Sequence, residues 1–336
     1  MFVSSSQLEI LDVRHFSGPA LRPLLEDEAA VWQRRLLWDY TQSIQLLQEY
    51  LDNRSLTGYV AQRAGRVLGY VFGVCEASKA VLGDVYAFGE GGGRSNPVCA
   101  TLLEHMLETM QATPGIDRIE SQLLLFPDGA LQAQFLTHGM HPFPRHYMLC
   151  DLARTPPPQS LSDPRQTAFL ASRGLAIERW QPASYDAVAA LIFEAYVGHP
   201  DSEINDQYRT LAGAKRFLHN IVNFPGCGVF EATASWILRE VRTGRLQGVV
   251  LCSRVQGDSA HITQLCLDPE ERGRGLGHHL LSQCLAGLAQ AGVRNVSLTV
   301  TEGNTRARKL YERHGFTTLH RFEAWVWNKR GVHRRT

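Results

Sequence analysis

The sequence predicts an α/β (α+β) fold built as two tandem units of one pattern. Three observations carry this. Strand-like and helix-like segments follow one another in the same order twice, once in residues 1–153 and again in 172–336. Between them, residues 154–171 have linker composition, with Pro156-Pro157-Pro158, then Ser160, Ser162 and Pro164. The length, 336 residues, favours two domains over one.

In the first half, Leu8 to Val13 (LEILDV) reads as a strand. Leu21 to Tyr50 is mostly helical, with Trp32, Leu36, Leu37 and Tyr40 at helical spacing. Gly58 to Gln62 and Val67 to Val74, joined at Ala64-Gly65-Arg66, make a hairpin. Lys79 to Phe88 is a strand, and a glycine-rich loop (Gly89, Gly91, Gly92, Gly93) follows. Then come a helix near Val98 to Gln111, a strand at Ile116 to Phe126, a short helix at Leu131 to His138 and a strand at Arg145 to Asp151. The second half restarts at Leu175 to Trp180. Helices at Tyr185 to Val197 and Gln207 to Val222 precede a hairpin, Ser235 to Arg242 with Gln247 to Arg254. Ala260 to Leu267 is the next strand.

That strand leads into the most informative stretch, LCLDPEERGRGLGHHLL, Leu265 to Leu281. An apolar run breaks at Asp268-Pro269, passes Arg272, Gly273, Arg274, Gly275, Leu276 and Gly277, and resumes as an amphipathic helix. Strand, glycine-rich turn and helix suit an anion: the first helical N–H groups lack partners, the macrodipole is positive there, and glycine lets backbone approach a phosphate. The glycine spacing fits neither the dinucleotide fingerprint nor a Walker loop. By itself it is also the spacing of an ordinary turn.

The order Arg272-x-x-Gly275-x-Gly277 resembles motif A of the GNAT N-acetyltransferase superfamily, Q/R-x-x-G-x-G/A. Asn304 to Phe316 (NTRARKLYERHGF) resembles that family's motif B at Asn304, Ala307, Leu310, Tyr311, Gly315 and Phe316. The resemblance covers about the last hundred residues. It implies two tandem GNAT-like domains, each a mixed, mostly antiparallel twisted sheet flanked by helices. Residues 172–336 would be the catalytic copy. Residues 1–153 would be a degenerate one, since Asp128 to Met140 aligns without a gap on Asn304 to Phe316 but has Phe135 for Tyr311 and Asp128 for Asn304.

The resemblance further implies direct transfer of an acetyl group from acetyl-CoA to a primary amine. Leu265, Cys266 and Leu267 would hold the pantetheine by their backbone. Arg272, Gly273, Arg274, Gly275, Leu276 and Gly277, with Asn304, would bind the rest of the donor. Tyr311 matches the family's general acid for the thiolate, and a phenol with pKa of about 10 suits that role; packing of its ring is the other reading. His261, six residues before Leu267, falls where a histone-acetylating branch carries its catalytic glutamate, and histidine suits a base. A surface or hydrogen-bonded histidine is the other reading there, and Glu231 and Glu240 are weaker candidates. Cys266 reads as a buried strand residue rather than a nucleophile. Adjacent His278 and His279 point to different helix faces, so no metal site is expected. The segment Glu194 to Ala212, with Glu194, Asp201, Glu203 and Asp206 against one arginine, reads as an acidic wall for a cationic acceptor or as an exposed loop.

Composition bounds the rest. Net charge is +1, which offers no global field for nucleic acid, and no apolar run is long enough for a membrane span. Seven cysteines without C-x-x-C spacing, and an N-terminus without signal-peptide features, lead us to expect a reduced, cytoplasmic protein. The basic tail, Lys329 to Arg335, reads as a solvated end. A small-molecule amine is the leading acceptor. A protein lysine or N-terminal amine is the runner-up, and a non-catalytic acyl-CoA sensor is the alternative from another class.

Overall fold

The computed structural model describes residues 7–89, 96–155, 163–224, 226 and 228–329. Gly91, Gly92 and Gly93 of the first loop, Pro156–Pro158 of the linker and the tail beyond Lys329 lie outside these residues. The chain groups into two compact units that cross the linear boundaries read from sequence. One comprises the chain to Arg145 together with the chain from Arg321 onward; the other is His146–His320.

The first unit contains β1 (Glu9–Asp12), α1 (Gly18–Leu36), α2 (Thr41–Asp52), β2 (Thr57–Arg63), β3 (Arg66–Glu76), β4 (Lys79–Ala87), α3 (Pro97–Ala112), β5 (Arg118–Gln122) and α4 (Gln132–Thr137). The stretch read as mostly helical, Leu21 to Tyr50, forms two helices. Leu37 adopts φ 54°, its N–H closing onto the Gln33 carbonyl, and this left-handed cap ends α1. Neighbouring strands run antiparallel except β4 and β5, which are parallel from Lys79↔Arg118 to Leu82↔Ser121.

The second unit continues with β6 (His141–Asp151), α5 (Pro164–Ala171), β7 (Leu175–Arg179), α6 (Tyr185–Tyr196), α7 (Asp201–Ile204), α8 (Leu211–Asn223) and β8 (Val229–Phe230). Then come β9 (Trp236–Glu240), β10 (Leu246–Gln256), β11 (Ser259–Leu267), α9 (Leu276–Gln290), β12 (Asn295–Thr301), α10 (Thr305–Arg313) and β13 (Thr317–Asn328). Strand β13 begins in this unit and ends in the first, where Ala324–Asn328 pair antiparallel with Gln122–Arg118. Its order is β6, β12, β11, β10, β9, β7, with only β11 and β12 parallel among the described registers.

Helices cover both faces of that sheet. On one, Leu276, Leu280, Cys284 and Leu288 of α9, with Leu281 and Leu285, pack on Ile262, Val296, Leu298 and Val300. These are i, i+4 positions, the spacing of one helix face. On the other, Val188, Leu191 and Ile192 of α6 and Leu218 and Ile221 of α8 pack on Ile237, Val249, Leu251 and Cys266. Helix α5 falls inside the expected linker, 154–171. Asp163 caps it and it buries Gln166 and Leu170 at 2% exposure each, so this end of the linker is part of the fold.

The first unit buries two carboxyls against each other. Glu28 on α1 and Asp84 on β4 share a hydrogen bond, which requires one proton between two acceptors. Burial pushes both upward, Asp84 to about 6 and Glu28 well above its ordinary range. Tyr70 Oη (2.7 Å) and Trp32 Nε1 (3.3 Å) donate to Glu28, and the Val85 N–H (2.8 Å) donates to Asp84. A carboxyl whose pKa is raised on folding stabilises the protonated state, so its contribution falls as pH rises from about 4 through the folded value. In the second unit, desolvation lowers His199, His278, His279 and His314, which act in the opposite sense. The difference in unfolding free energy between the wild type and Glu28→Gln isolates the pair. It should shift against the wild type by about 2 kcal/mol between pH 5 and pH 8, read by thermal or urea unfolding; a pH-independent difference would refute the assignment.

Candidate active site

Strand β11 changes face part-way along. The register runs Leu251↔Gln264, then jumps to Cys252↔Ile262, leaving Thr263 as an extra residue. The Thr263 hydroxyl bonds the Leu251 carbonyl across the bulge at 3.1 Å. As a result Ile262 and Leu265 pack toward α9 while Gln264 and Cys266 lie toward α6. Pairing with β12 covers four positions, from Ser259↔Asn295 to Ile262↔Leu298, although both strands continue. The two parallel strands part beyond that point. Here the Leu265 N–H is taken by its neighbour's side chain, Gln264 Oε1, at 3.0 Å.

The turn after β11 is fixed by Asp268, which accepts from the Glu270 N–H at 2.9 Å and from Arg245 at 2.6 Å. Gly273 (φ 88°) and Gly275 (φ 83°) are both left-handed, conformations that disfavour any side chain. Gly275 is the N-cap of α9 and supplies no side chain to bond its first turn. The His278 N–H closes back on the Gly275 carbonyl at 3.0 Å, leaving Leu276 and Gly277 at the head of the helix. Gly277 sits where a Cβ would touch Leu310 of α10 at 3.4 Å. This is an open helix N-terminus in a glycine-rich cradle, and it fits a pyrophosphate.

Both arginines expected to bind the donor make contacts within the protein. Arg272 turns its guanidinium onto the carbonyl of Ala195, at the end of α6, and so ties the cradle to that helix. Arg274 is ion-paired with Glu271 at 3.1 Å. Arg306, which the sequence reading missed, lies over Gly273 so closely that a Cβ there would overlap its guanidinium. Its position in the first turn of α10, two residues after the Asn304 cap, was the available signal.

Tyr311 is 8% exposed on α10, edge-on to Phe316 at 5.9 Å. Burial pushes its phenol up, helped by the negative charge of Asp201 and by Cys266, so it stays protonated at neutral pH. Cys266 is itself pushed up to about 12 by burial, which excludes a resting thiolate. Thr301 at the end of β12 donates to Asp201 at 2.6 Å. The Asp201 N–H bonds His199 Nδ1 at 3.1 Å, and burial lowers the His199 pKa. Asn304 caps α10 by accepting from Ala307 at 3.1 Å, and its amide nitrogen faces His199 Nε2 at 3.4 Å. Tyr196 lies face to face with Tyr208, 3.9 Å between ring centres, and donates to Gln264 Oε1 at 2.9 Å. His199, Asp201, Tyr196 and Gln264 are thus gathered about Tyr311 and Cys266, and the sequence motifs named only the last two.

His261 is buried on β11, with Nδ1 2.9 Å from Ser297 Oγ and its ring stacked on Tyr147. Glu231 is ion-paired with Arg254, and Glu240 accepts from the Thr243 hydroxyl at 2.5 Å. Within the acidic segment, Glu203 is neutralised by Arg209 at 2.9 Å, while Asp201 faces the tyrosines. His278 packs against His314, 4.7 Å between ring centres, and His279 against Phe169. Among the described residues no group of three or more His, Cys, Asp or Glu is disposed to hold a metal, and no helix is long and apolar enough to cross a membrane.

Residues 204–316 match the model of the Acetyltransferase (GNAT) family. The second unit carries a GNAT acetyltransferase domain. Curated relatives include a mycothiol acetyltransferase of Beutenbergia cavernae, 35% identical over 90 residues, and one of Thermobispora bispora, 53% identical over 51. The matched stretches span 27% and 15% of this chain, and only 30% and 17% of the relatives' own lengths. Solved structures share the fold over nearly the whole chain. A GCN5-related N-acetyltransferase from Sphaerobacter thermophilus has a TM-score of 0.61 at 18% identity, covering 96% of this chain and 95% of its own. A tandem GNAT protein from the clavulanic acid biosynthesis pathway has a TM-score of 0.57 at 17%, covering 96% and 98%. The fold is therefore that of a tandem GNAT protein, each half a mixed, mostly antiparallel sheet flanked by helices.

A glycine cradle that fits a pyrophosphate makes Arg306 testable. Arg306→Ala should weaken CoA binding about tenfold and flatten its salt dependence, while leaving affinity for phosphate-free pantetheine unchanged, by titration calorimetry. An equal loss for both ligands would mean that Arg306 acts only on the fold.

Proposed function

We propose that the chain is an acetyl-CoA-dependent N-acetyltransferase that moves an acetyl group directly to the primary amine of a small molecule. The observation that carries this is the conjunction, in one unit, of the uncapped cradle at Gly275, the parting of β11 from β12 and the protonated Tyr311. The names of the curated relatives, which specify mycothiol, favour a small acceptor over a protein.

In this reading, backbone N–H groups of Gly273 to Gly277 and the Arg306 guanidinium hold the donor's phosphates. The parted edge of β11 at Leu265 to Leu267 takes the pantetheine as an added strand. Alignment of amine and thioester supplies much of the rate. A primary amine with a pKa of about 10 must lose its proton before attack. His261, oriented by Ser297, is the base assigned to it, directly or through water. Asp201 draws the cationic amine, and Tyr311 gives its proton to the departing CoA sulfur.

The direct test is thiol release from acetyl-CoA in the presence of single amines, from aminosugars and amino-thiols to lysine peptides. Turnover with a small amine supports the proposal; turnover with peptides alone would replace the acceptor class. Binding of acetyl-CoA with no turnover for any amine would favour the sensor. Tyr311→Phe keeps the ring and its packing on Phe316. It should lower kcat about 10- to 100-fold with acetyl-CoA affinity unchanged.

A further inference from the structure

Gln264 is 4% exposed and stands at the point where β11 leaves β12. Its Oε1 is doubly used, accepting from the Leu265 N–H at 3.0 Å and from Tyr196 Oη at 2.9 Å. Its Nε2 is buried and has no partner among the described residues. An unsatisfied buried amide N–H pair is destabilising, and such a group calls for an explanation. Two N–H donors, one backbone and one side-chain, thus sit side by side on the parted strand. One is held by a temporary acceptor and the other by none.

The first unit carries the same construction with a different side chain. Its β3 and β4 pair Phe72↔Asp84 and then Gly73↔Leu82, leaving Gly83 extra, as Thr263 is in the second unit. Parallel pairing of β4 with β5 likewise covers four positions and ends at Leu82↔Ser121. Asp84 therefore occupies the place of Gln264, and its Oδ1 takes the N–H of Val85 at 2.8 Å, as Gln264 takes that of Leu265. But a carboxylate has no N–H to offer, and the hydrogen bond from Glu28 fixes it in place. The same position is a permanent plug in one unit and a rotatable carboxamide in the other.

We propose that Gln264 is a placeholder for the acyl carbonyl and the side-chain half of an oxyanion hole. When an acyl thioester enters the parted strands, the carboxamide turns about χ3. Oε1 leaves the Leu265 N–H, and the Leu265 N–H and Gln264 Nε2 together donate to the thioester oxygen. As the amine nitrogen bonds the carbonyl carbon, the π pair moves onto that oxygen, where both donors meet it. The pair then returns, the C–S bond breaks, and the sulfur takes the Tyr311 proton while the amine's proton goes to the base. Tyr196, released from Oε1, keeps its place by stacking on Tyr208. This inference rests on the acetyltransferase reading.

Gln264→Glu reproduces the plug, since its oxygens keep Leu265 N–H and Tyr196 occupied. Gln264→Met is a neutral variant of similar shape that frees Leu265 N–H but lacks the second donor. CoA, which has no acyl carbonyl, should bind both variants within twofold of the wild type. Turnover of acetyl-CoA with an excess of amine should fall about 100-fold in Gln264→Glu and about tenfold or more in Gln264→Met, with unfolding temperatures reported alongside. Difference infrared spectra of acetyl-CoA labelled with ¹³C at the carbonyl should show the bound stretch lowered in the wild type and less lowered in Gln264→Met. Unchanged turnover and carbonyl stretch in both variants would overturn the inference, as would a parallel loss of CoA and acetyl-CoA binding. If the wild type binds neither CoA nor acetyl-CoA, the acetyltransferase reading fails first and this one with it.

Discussion

One extra residue governs the chemistry-bearing unit. Without the bulge at Thr263, with every residue paired in turn, β11 would alternate evenly from Ser259 to Leu267, and Ile262, Gln264 and Cys266 would share a face. With it, Ile262 and Leu265 enter the α9 core while Gln264 and Cys266 turn to α6, toward Tyr196. The bulge also bends the strand just where its pairing with β12 ends, opening a gap between parallel neighbours that a strand-like ligand fits. Helix α9 can then start directly below that gap, because Gly273 and Gly275 reverse the chain in left-handed conformations. The cradle and the gap follow from these few backbone choices.

The first unit shows what happens when the scaffold is kept and the donors are removed. It retains the bulge and the four-residue parallel pairing, so its strands part in the same manner. Its helix α3, by contrast, begins with Pro97, which has no N–H, and Asn96 bonds the Val98 N–H at 2.9 Å. Those are the amides an anion would need. Phe135 replaces the phenol and stacks on Trp325, 4.8 Å between ring centres, at 1% exposure. Asp84, hydrogen-bonded to Glu28, fills the position that Gln264 holds in the second unit. On the proposed reading each substitution closes one function of the site while leaving the sheet intact, which separates what the fold requires from what that chemistry would require.

The motifs were legible because they are local. Gly275 ending the turn, Asn304 capping α10 and Gly315 at φ 83° after its last turn are all set by a few consecutive residues. The alignment of His138-Gly139 on His314-Gly315 is visible in structure too, since both histidines cap their helices and both glycines are left-handed. What the sequence hid is set at long range. Arg306 meets Gly273 across more than thirty positions, Thr301 meets Asp201 across a hundred, and Arg272 is drawn off to Ala195. The crossing of β13 into the first unit has no local signature either, because its alternation suits either sheet. The bulge is the subtlest case. One threonine in HITQLCL looks like an ordinary strand residue, and only the register shows that it is extra.

The same bulge bears on where the amine's proton goes. Counting six residues back from Leu267 on an even strand puts His261 on the face of Leu267, toward α9. The extra residue moves it to the other face, that of Gln264 and Cys266. His199 is the other histidine near this group; burial lowers its pKa, against the pull of the Asp201 carboxylate, and its ring nitrogens are already engaged. The Asp201 N–H is directed at Nδ1, the Asn304 amide faces Nε2, and the positive charge of Arg272 acts on the ring. Two donors on the ring nitrogens suit neither imidazolium nor either neutral tautomer fully. His261 instead faces a hydroxyl, Ser297 Oγ, which can accept from Nδ1–H or donate to Nδ1. A base must be comfortable on both sides of the transfer. Within the proposed function this leaves the proton to His261, with His199 holding Asp201 and Asn304 in place beside Tyr311.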